Sequence, residues 1–252
     1  MLRSKLPCLL LLLTSCQQTS VEATSAAAIH VNTPEEIALG RACPVTKTTF
    51  LGQAQERKTF TIVGIGSSSM EGVGASAPQY NFLNRLDHTL STSLPGVTLK
   101  VINAGIGGQN LMQTIARFPR DVYWVNPDLV ILQAGMNDAI QSRDTDVYRD
   151  EIKKALEDLS EHNLNAVLMS NQYAGTAGLT SSTLTKTIDQ INKDEAIRKG
   201  IGVIDRYSLF NTLRDQGIDV AKTYFADDLL HANDEGYRLV TTCTLRRVFG
   251  LG

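Results

Sequence analysis

From residue 58 onward, short apolar runs alternate with helical stripes. Phe60 to Ile65 reads FTIVGI, a β-branched run containing glycine, and predicts a buried strand. Phe82, Leu83, Leu86, Leu90 and Leu94 recur at helical spacing over 81–94, and Pro95-Gly96 closes the stripe. The same alternation predicts further strands at 97–103, 129–133, 166–170 and 201–204. It predicts helices at 111–118, 145–159, 181–199 and 235–249. Five apolar strands separated by helices predict an α/β fold: a three-layer α/β/α sandwich around a five-stranded parallel sheet, whose strands read as continuous apolar runs because both faces are covered. In such a sheet ligands bind beyond the carboxyl ends of the strands. The segments GSSSMEG, NAGIGGQN and AGMND, each just after a strand, are therefore where chemistry is expected.

The N-terminal stretch follows another pattern. Arg3 and Lys5 precede the apolar run Leu6 to Leu13, too short to span a bilayer but suited to a signal peptide. Leu13-Thr14-Ser15-Cys16 resembles a bacterial lipobox. That resemblance implies removal of residues 1–15, acylation of Cys16 and anchoring in the cell envelope. Gln17, rather than Asp, after the cysteine points to the outer membrane. Residues 16–57 read as a tether and N-terminal arm: 17–28 is rich in Ser, Thr, Ala and Gln without periodicity. Within the arm, Thr33 as N-cap and Pro34 at the first position predict a short helix. Residues 58–252 form the predicted catalytic domain. Cys43 and Cys243 are the only cysteines beyond Cys16. An oxidising compartment allows them to pair, and two separate buried thiols are the alternative.

Composition narrows the function. The chain has 252 residues, 42% hydrophobic and 20% charged, with 24 Lys+Arg against 26 Asp+Glu. This is enough apolar content for a core. The balanced charge shows no basic stripe, so no nucleic-acid partner is expected. Neither glycine-rich segment completes G-x-G-x-x-G, since Ser69 and Asn110 stand at the last positions. There is no P-loop and no G-x-S-x-G elbow, and His30, His88, His162 and His231 form no H-x-x-x-H pair. No metal or organic cofactor is implied.

Acyl transfer without that elbow needs a nucleophile, a base and oxyanion donors. Ser68 follows the first strand in a glycine-flanked turn. Among the histidines, His30 lies in the arm, His88 on a helix and His162 near a helix end. His231 alone sits in a loop with a carboxylate three residues back, Asp228. A D-x-x-H turn can set that carboxylate on one ring nitrogen and leave the other free to act as base.

With these blocks in order, the chain resembles the SGNH (GDSL-type) hydrolases over roughly residues 58–250. The family block G-D-S-x-x-x-G appears as Gly66-Ser67-Ser68-Ser69-Met70-Glu71-Gly72, with Ser67 in place of the aspartate. The second block is Asn103 to Gly108, the third Gly135-Met136-Asn137-Asp138, and the last Asp228 to His231. The resemblance implies a flavodoxin-like SGNH fold and a serine esterase for small acyl esters, O-acetyl carbohydrates first. It makes Ser68, Asp228 and His231 the catalytic residues, and gives the oxyanion to the N–H groups of Ser68 and Gly108 and the amide of Asn137. Asp227 is the alternative triad acid, and Asp138 is expected to make a cap or loop hydrogen bond. Acyl transfer to a sugar hydroxyl, and glycan binding without turnover, stay open as rival functions. Oligomeric state is not legible.

Overall fold

The computed structural model describes residues 32–46, 48–172 and 182–252. The signal segment, Cys16 and His30 lie outside the described residues.

The sheet is built from β1 (Thr59–Gly66), β2 (Thr98–Gly105), β3 (Leu129–Gln133), β4 (Ala166–Met169) and β5 (Gly202–Ile204), all parallel, in the order β2-β1-β3-β4-β5. Five parallel strands with helices on both faces match the expected architecture. Alternate residues of each strand feed opposite layers, as the period of two requires. Phe60, Ile62, Leu129, Ile131, Val167 and Met169 belong to one core cluster. Val63, Ile65, Val130, Leu132 and Leu168 belong to the other. The first is covered by α1 (Pro34–Ala42), α4 (Phe82–Ser93), α9 (Arg206–Asp215), α10 (Val220–Tyr224) and α11 (Asp234–Thr244). The second is covered by α5 (Leu111–Ile115), α6 (Met136–Ile140), α7 (Thr145–Glu161) and α8 (Ser182–Lys199).

Local chemistry fixes the element ends. Asn81 caps α4 by accepting from the N–H of Asn84, and Asp144 caps α7 through two N–H groups. The stripe predicted over 111–118 breaks after Ile115. The chain there reaches Pro119, which cannot donate to a helical ladder, and continues as one wide turn over Pro119–Tyr123. The closing helix likewise gives way to a wide turn at Leu245–Phe249.

The boundary expected after residue 57 does not divide the fold: the compact unit begins at Asn32. Thr33 and Glu36 form a capping box at the start of α1. Ala38, Leu39 and Cys43, with Ala54 of α2 (Phe50–Arg57), are buried in the first core cluster. Cys43 and Cys243 are joined by a disulfide, with Cα atoms 5.1 Å apart. The arm is held because its few apolar residues face the core, a pattern too short to read as amphipathic in sequence.

Candidate active site

β1 is the point where the chain changes direction across the sheet: β2 lies on one side of it and β3 on the other. The carboxyl ends of these three strands supply the candidate residues, at a topological switch point.

β1 ends at Gly66. Ser67, extended at φ −104°, then leads into α3 (Ser68–Glu71), a single turn that starts with Ser68. Ser67 is held by the carboxamide of Gln133 at the end of β3. Its N–H and its hydroxyl both donate to Gln133 Oε1, at 2.8 and 3.0 Å.

The loop after β2 is pressed against α3. A Cβ on Gly105 would meet the backbone nitrogen of Glu71 at 2.1 Å, so only glycine fits. Glu71 Oε2 accepts the N–H of Gly107 at 2.7 Å, and its carbonyl accepts from the Asn103 side chain at 3.1 Å. Gly108 follows at φ +77°, the left-handed region that glycine enters without strain. No hydrogen bond within the described residues takes the N–H of Ser68 or of Gly108.

Asn137 comes from α6, after β3. Its side-chain amide donates to the Gln109 carbonyl at 2.9 Å, which fixes the group beside the Gly108 loop and leaves its second N–H to donate elsewhere. Asp138 is fully buried. It accepts the N–H of Leu111 at 3.1 Å and the Arg143 guanidinium at 2.8 Å, so it pins the start of α5 to α6. Burial pushes its carboxyl above the ordinary range against the pull of Arg143 and the Leu111 N–H. This is the loop hydrogen bond expected of it.

The last loop brings the base. Asp228 Oδ1 accepts the N–H groups of Leu230 and His231, both at 2.9 Å, which closes the D-x-x-H turn on itself. Leu229 takes φ +55° within it, a costly conformation for a bulky residue. Asp228 Oδ2 lies 2.5 Å from His231 Nδ1, and His231 Nε2 lies 2.7 Å from Ser68 Oγ. Residues 163 positions apart thus meet in one hydrogen-bonded chain, Ser68–His231–Asp228. Partial burial raises the Asp228 pKa. The His231 ring and the two backbone N–H groups outweigh it and hold the carboxyl below the usual carboxylate range.

Asp227 is exposed and makes no bond to His231. His88 stands on α4 away from this chain. His162 caps the end of α7 and stacks on Tyr123 at 3.7 Å, a structural role. Among the described residues no cluster of three His, Cys, Asp or Glu side chains is arranged to hold a metal ion.

Three residues that the motif reading passed over take part in the site's support. Gln133 holds Ser67, and Glu71 holds Gly107. Gln172, the last described residue before 173–181, accepts from Ser69 and donates to the Leu230 carbonyl. Their only signal in sequence is position, since each is a polar residue at a strand end or within five residues after one.

An arrangement of hydroxyl, imidazole and carboxylate beside unpartnered N–H groups can form and break an acyl-enzyme. The model of the Non-GDSL lipase-like family matches residues 42–235. No curated protein matches the chain. Among solved structures, a lipase/acylhydrolase from Enterococcus faecalis is similar at TM-score 0.65 and 20% identity, covering 74% of this chain and 94% of that one. An acetylxylan esterase from Geobacillus stearothermophilus gives TM-score 0.63 and 18% identity, with 74% and 93% covered. The acetyl xylan esterase AlAXEase gives 0.62 and 21%, with 73% and 97% covered.

Proposed function

Because the chain belongs to the Non-GDSL lipase-like family, we propose that it is a serine esterase that hydrolyses small acyl esters, with O-acetyl groups on carbohydrates as its first substrates. One observation carries the reading: Ser68 Oγ sits 2.7 Å from His231 Nε2 while Asp228 occupies the other ring nitrogen. The carbohydrate preference draws support from the similar fold of two enzymes named as acetylxylan esterases.

In this mechanism His231 takes the proton of Ser68 as its oxygen attacks the ester carbonyl. The carbonyl oxygen becomes an oxyanion, met by the N–H groups of Ser68 and Gly108 and the amide of Asn137. Asp228 fixes the Nδ1–H tautomer and stabilises the imidazolium. His231 then gives its proton to the leaving alcohol, and an acyl-Ser68 remains. Water repeats the sequence: His231 deprotonates it, the tetrahedral species collapses, Ser68 recovers its proton and the carboxylic acid departs.

The test is turnover of p-nitrophenyl acetate and acetate release from acetylated xylan by purified protein. Ser68→Ala is expected to lose both, together with covalent labelling by a fluorophosphonate. Full turnover in Ser68→Ala overturns the assignment.

We further propose that residues 1–15 are a signal peptide and that Cys16 is acylated, tying the enzyme to the outer membrane of the cell envelope. The support is the order of Arg3, Lys5, the Leu6–Leu13 run and Cys16. Incorporation of a palmitate analogue in the native host, lost in Cys16→Ala, is the expected result. An unlabelled wild type refutes the anchor.

A further inference from the structure

The two halves of the site arrive from distant parts of the chain, Ser68 on α3 and His231 on the 225–233 loop. Ties between them set whether Ser68 Oγ and His231 Nε2 meet. Two ties are peripheral. Tyr237 donates its hydroxyl to the Val73 carbonyl at 2.6 Å, and Ser76 donates its N–H to Asp234 at 2.8 Å. A third reaches the immediate neighbours of both residues. The Ser69 hydroxyl donates to Gln172 Oε1 at 2.5 Å, and Gln172 Nε2 donates to the carbonyl of Leu230. Ser69 follows Ser68, and the Leu230 carbonyl belongs to the peptide that enters His231.

Resting on the esterase reading, we infer that Gln172 is a positioning residue that sets the Ser68–His231 separation. Its own seat is firm. Ser69 and Gln172 are each 3% exposed. The preceding Ser170 carbonyl accepts from the buried Arg206 at 2.9 Å, and Asn171 donates to the Thr185 carbonyl of α8 at 3.1 Å. The side chain therefore projects from a braced strand end into the gap between α3 and the histidine loop. A carboxamide suits that gap chemically. It accepts at one end and donates at the other without charge. A carboxylate there would turn an acceptor toward the Leu230 carbonyl. An aliphatic group would leave a buried hydroxyl and a carbonyl unpaired.

The experiment measures kcat and KM on p-nitrophenyl acetate for Gln172→Leu, Ser69→Ala, the double variant and Gln172→Glu. Gln172→Leu is expected to lower kcat by about 10–100-fold, the size of effect a misplacement near 1 Å produces, with KM held within about two-fold because the substrate contacts are untouched. The double variant is expected to be no worse than Gln172→Leu, since both changes cut one bridge. Gln172→Glu is expected to regain activity relative to wild type as pH falls, when its protonated carboxyl can donate to Leu230; the Gln172→Leu ratio stays flat with pH. Wild-type kcat in Gln172→Leu, or losses that simply add, overturns the bridge. A crystal structure of Gln172→Leu separates this inference from the esterase reading. A wild type without ester turnover sinks that reading, whereas a Ser68–His231 contact still at 2.7 Å in the variant sinks the bridge and a widened one supports it.

Discussion

Gln133 Oε1 accepts both the backbone N–H and the hydroxyl of Ser67, at 2.8 and 3.0 Å, in a position 5% exposed to solvent. The residue that departs from the family's G-D-S block is thus paired with an acceptor at the end of the neighbouring strand. A serine donates to that acceptor; an aspartate would oppose it.

Ser67→Asp is therefore expected to be more harmful than Ser67→Ala. Alanine keeps the backbone N–H bond and loses one neutral hydrogen bond, about 0.5–1.5 kcal/mol. Aspartate sets a buried carboxylate against Gln133 Oε1, with desolvation unrelieved by any donor. Melting temperature and p-nitrophenyl acetate turnover measure both. An Asp variant as stable and active as wild type would show that Gln133 reorients freely.

The geometry favours Asp228 as the acid of the proposed triad. Asp228 touches His231 Nδ1 and Asp227 does not. Asp228→Asn is expected to cost about 10⁴-fold in kcat or less, by loss of the productive tautomer, while Asp227→Asn stays near wild type. The larger loss at Asp227 would move the assignment by one residue. Acid stability gives a second reading. The Asp228 carboxyl titrates below its ordinary value in the folded protein. Its contribution is therefore fully present above the unfolded value, near pH 4, and is lost as pH falls through the lowered one. The gap in melting temperature between wild type and Asp228→Asn should narrow as pH is taken from 5 to about 2.5. Because the Asp228 side chain is 46% exposed, the gap should also shrink with added salt.

How much of this was legible in advance follows from the range of each interaction. The five strands and the long helices announce themselves through apolar period alone, and Ser68, Gly108, Asn137, Asp228 and His231 through short motifs read in order. The supports do not. Gln133, Gln172 and Glu71 act through hydrogen bonds to residues 66, 103 and 36 positions away, respectively. No local pattern encodes such a pairing. The same holds for α9, where Leu209, Phe210 and Leu213 are the buried apolar positions in a segment short of a full amphipathic stripe. α1 was legible because its start signals, Thr33 as N-cap and Pro34 at the first position, stand side by side in the sequence.

Asn137 tests the oxyanion reading separately from the nucleophile. Its amide is anchored on the Gln109 carbonyl at 2.9 Å, so the donor is preorganised before substrate arrives. Asn137→Ala is expected to retain fluorophosphonate labelling at Ser68 and to lose about 10²–10³-fold in kcat, with little change in KM. A loss confined to KM would assign Asn137 to ground-state binding instead.

The disulfide offers a prediction about stability without activity. Cys43 ends α1 and Cys243 lies in α11, 200 positions later, and both are fully buried. Their bond ties the arm to the closing helix. Beside it the Arg246 side chain donates to the Cys43 carbonyl at 2.9 Å. Cross-linking residues so far apart in sequence removes much of the unfolded chain's freedom. The loop-entropy account gives about 4–5 kcal/mol for long loops, and measured bridges usually give about 2–4. Reduction, or Cys43→Ser with Cys243→Ser, is expected to lower the guanidinium midpoint accordingly. kcat below the melting range should stay near wild type, because neither cysteine touches Ser68, His231 or Asp228. Mass spectrometry of unreduced digests should recover one linked peptide pair. Recovery of both cysteines as alkylated thiols, with a midpoint indifferent to reductant, would mean that packing alone holds α1 in place.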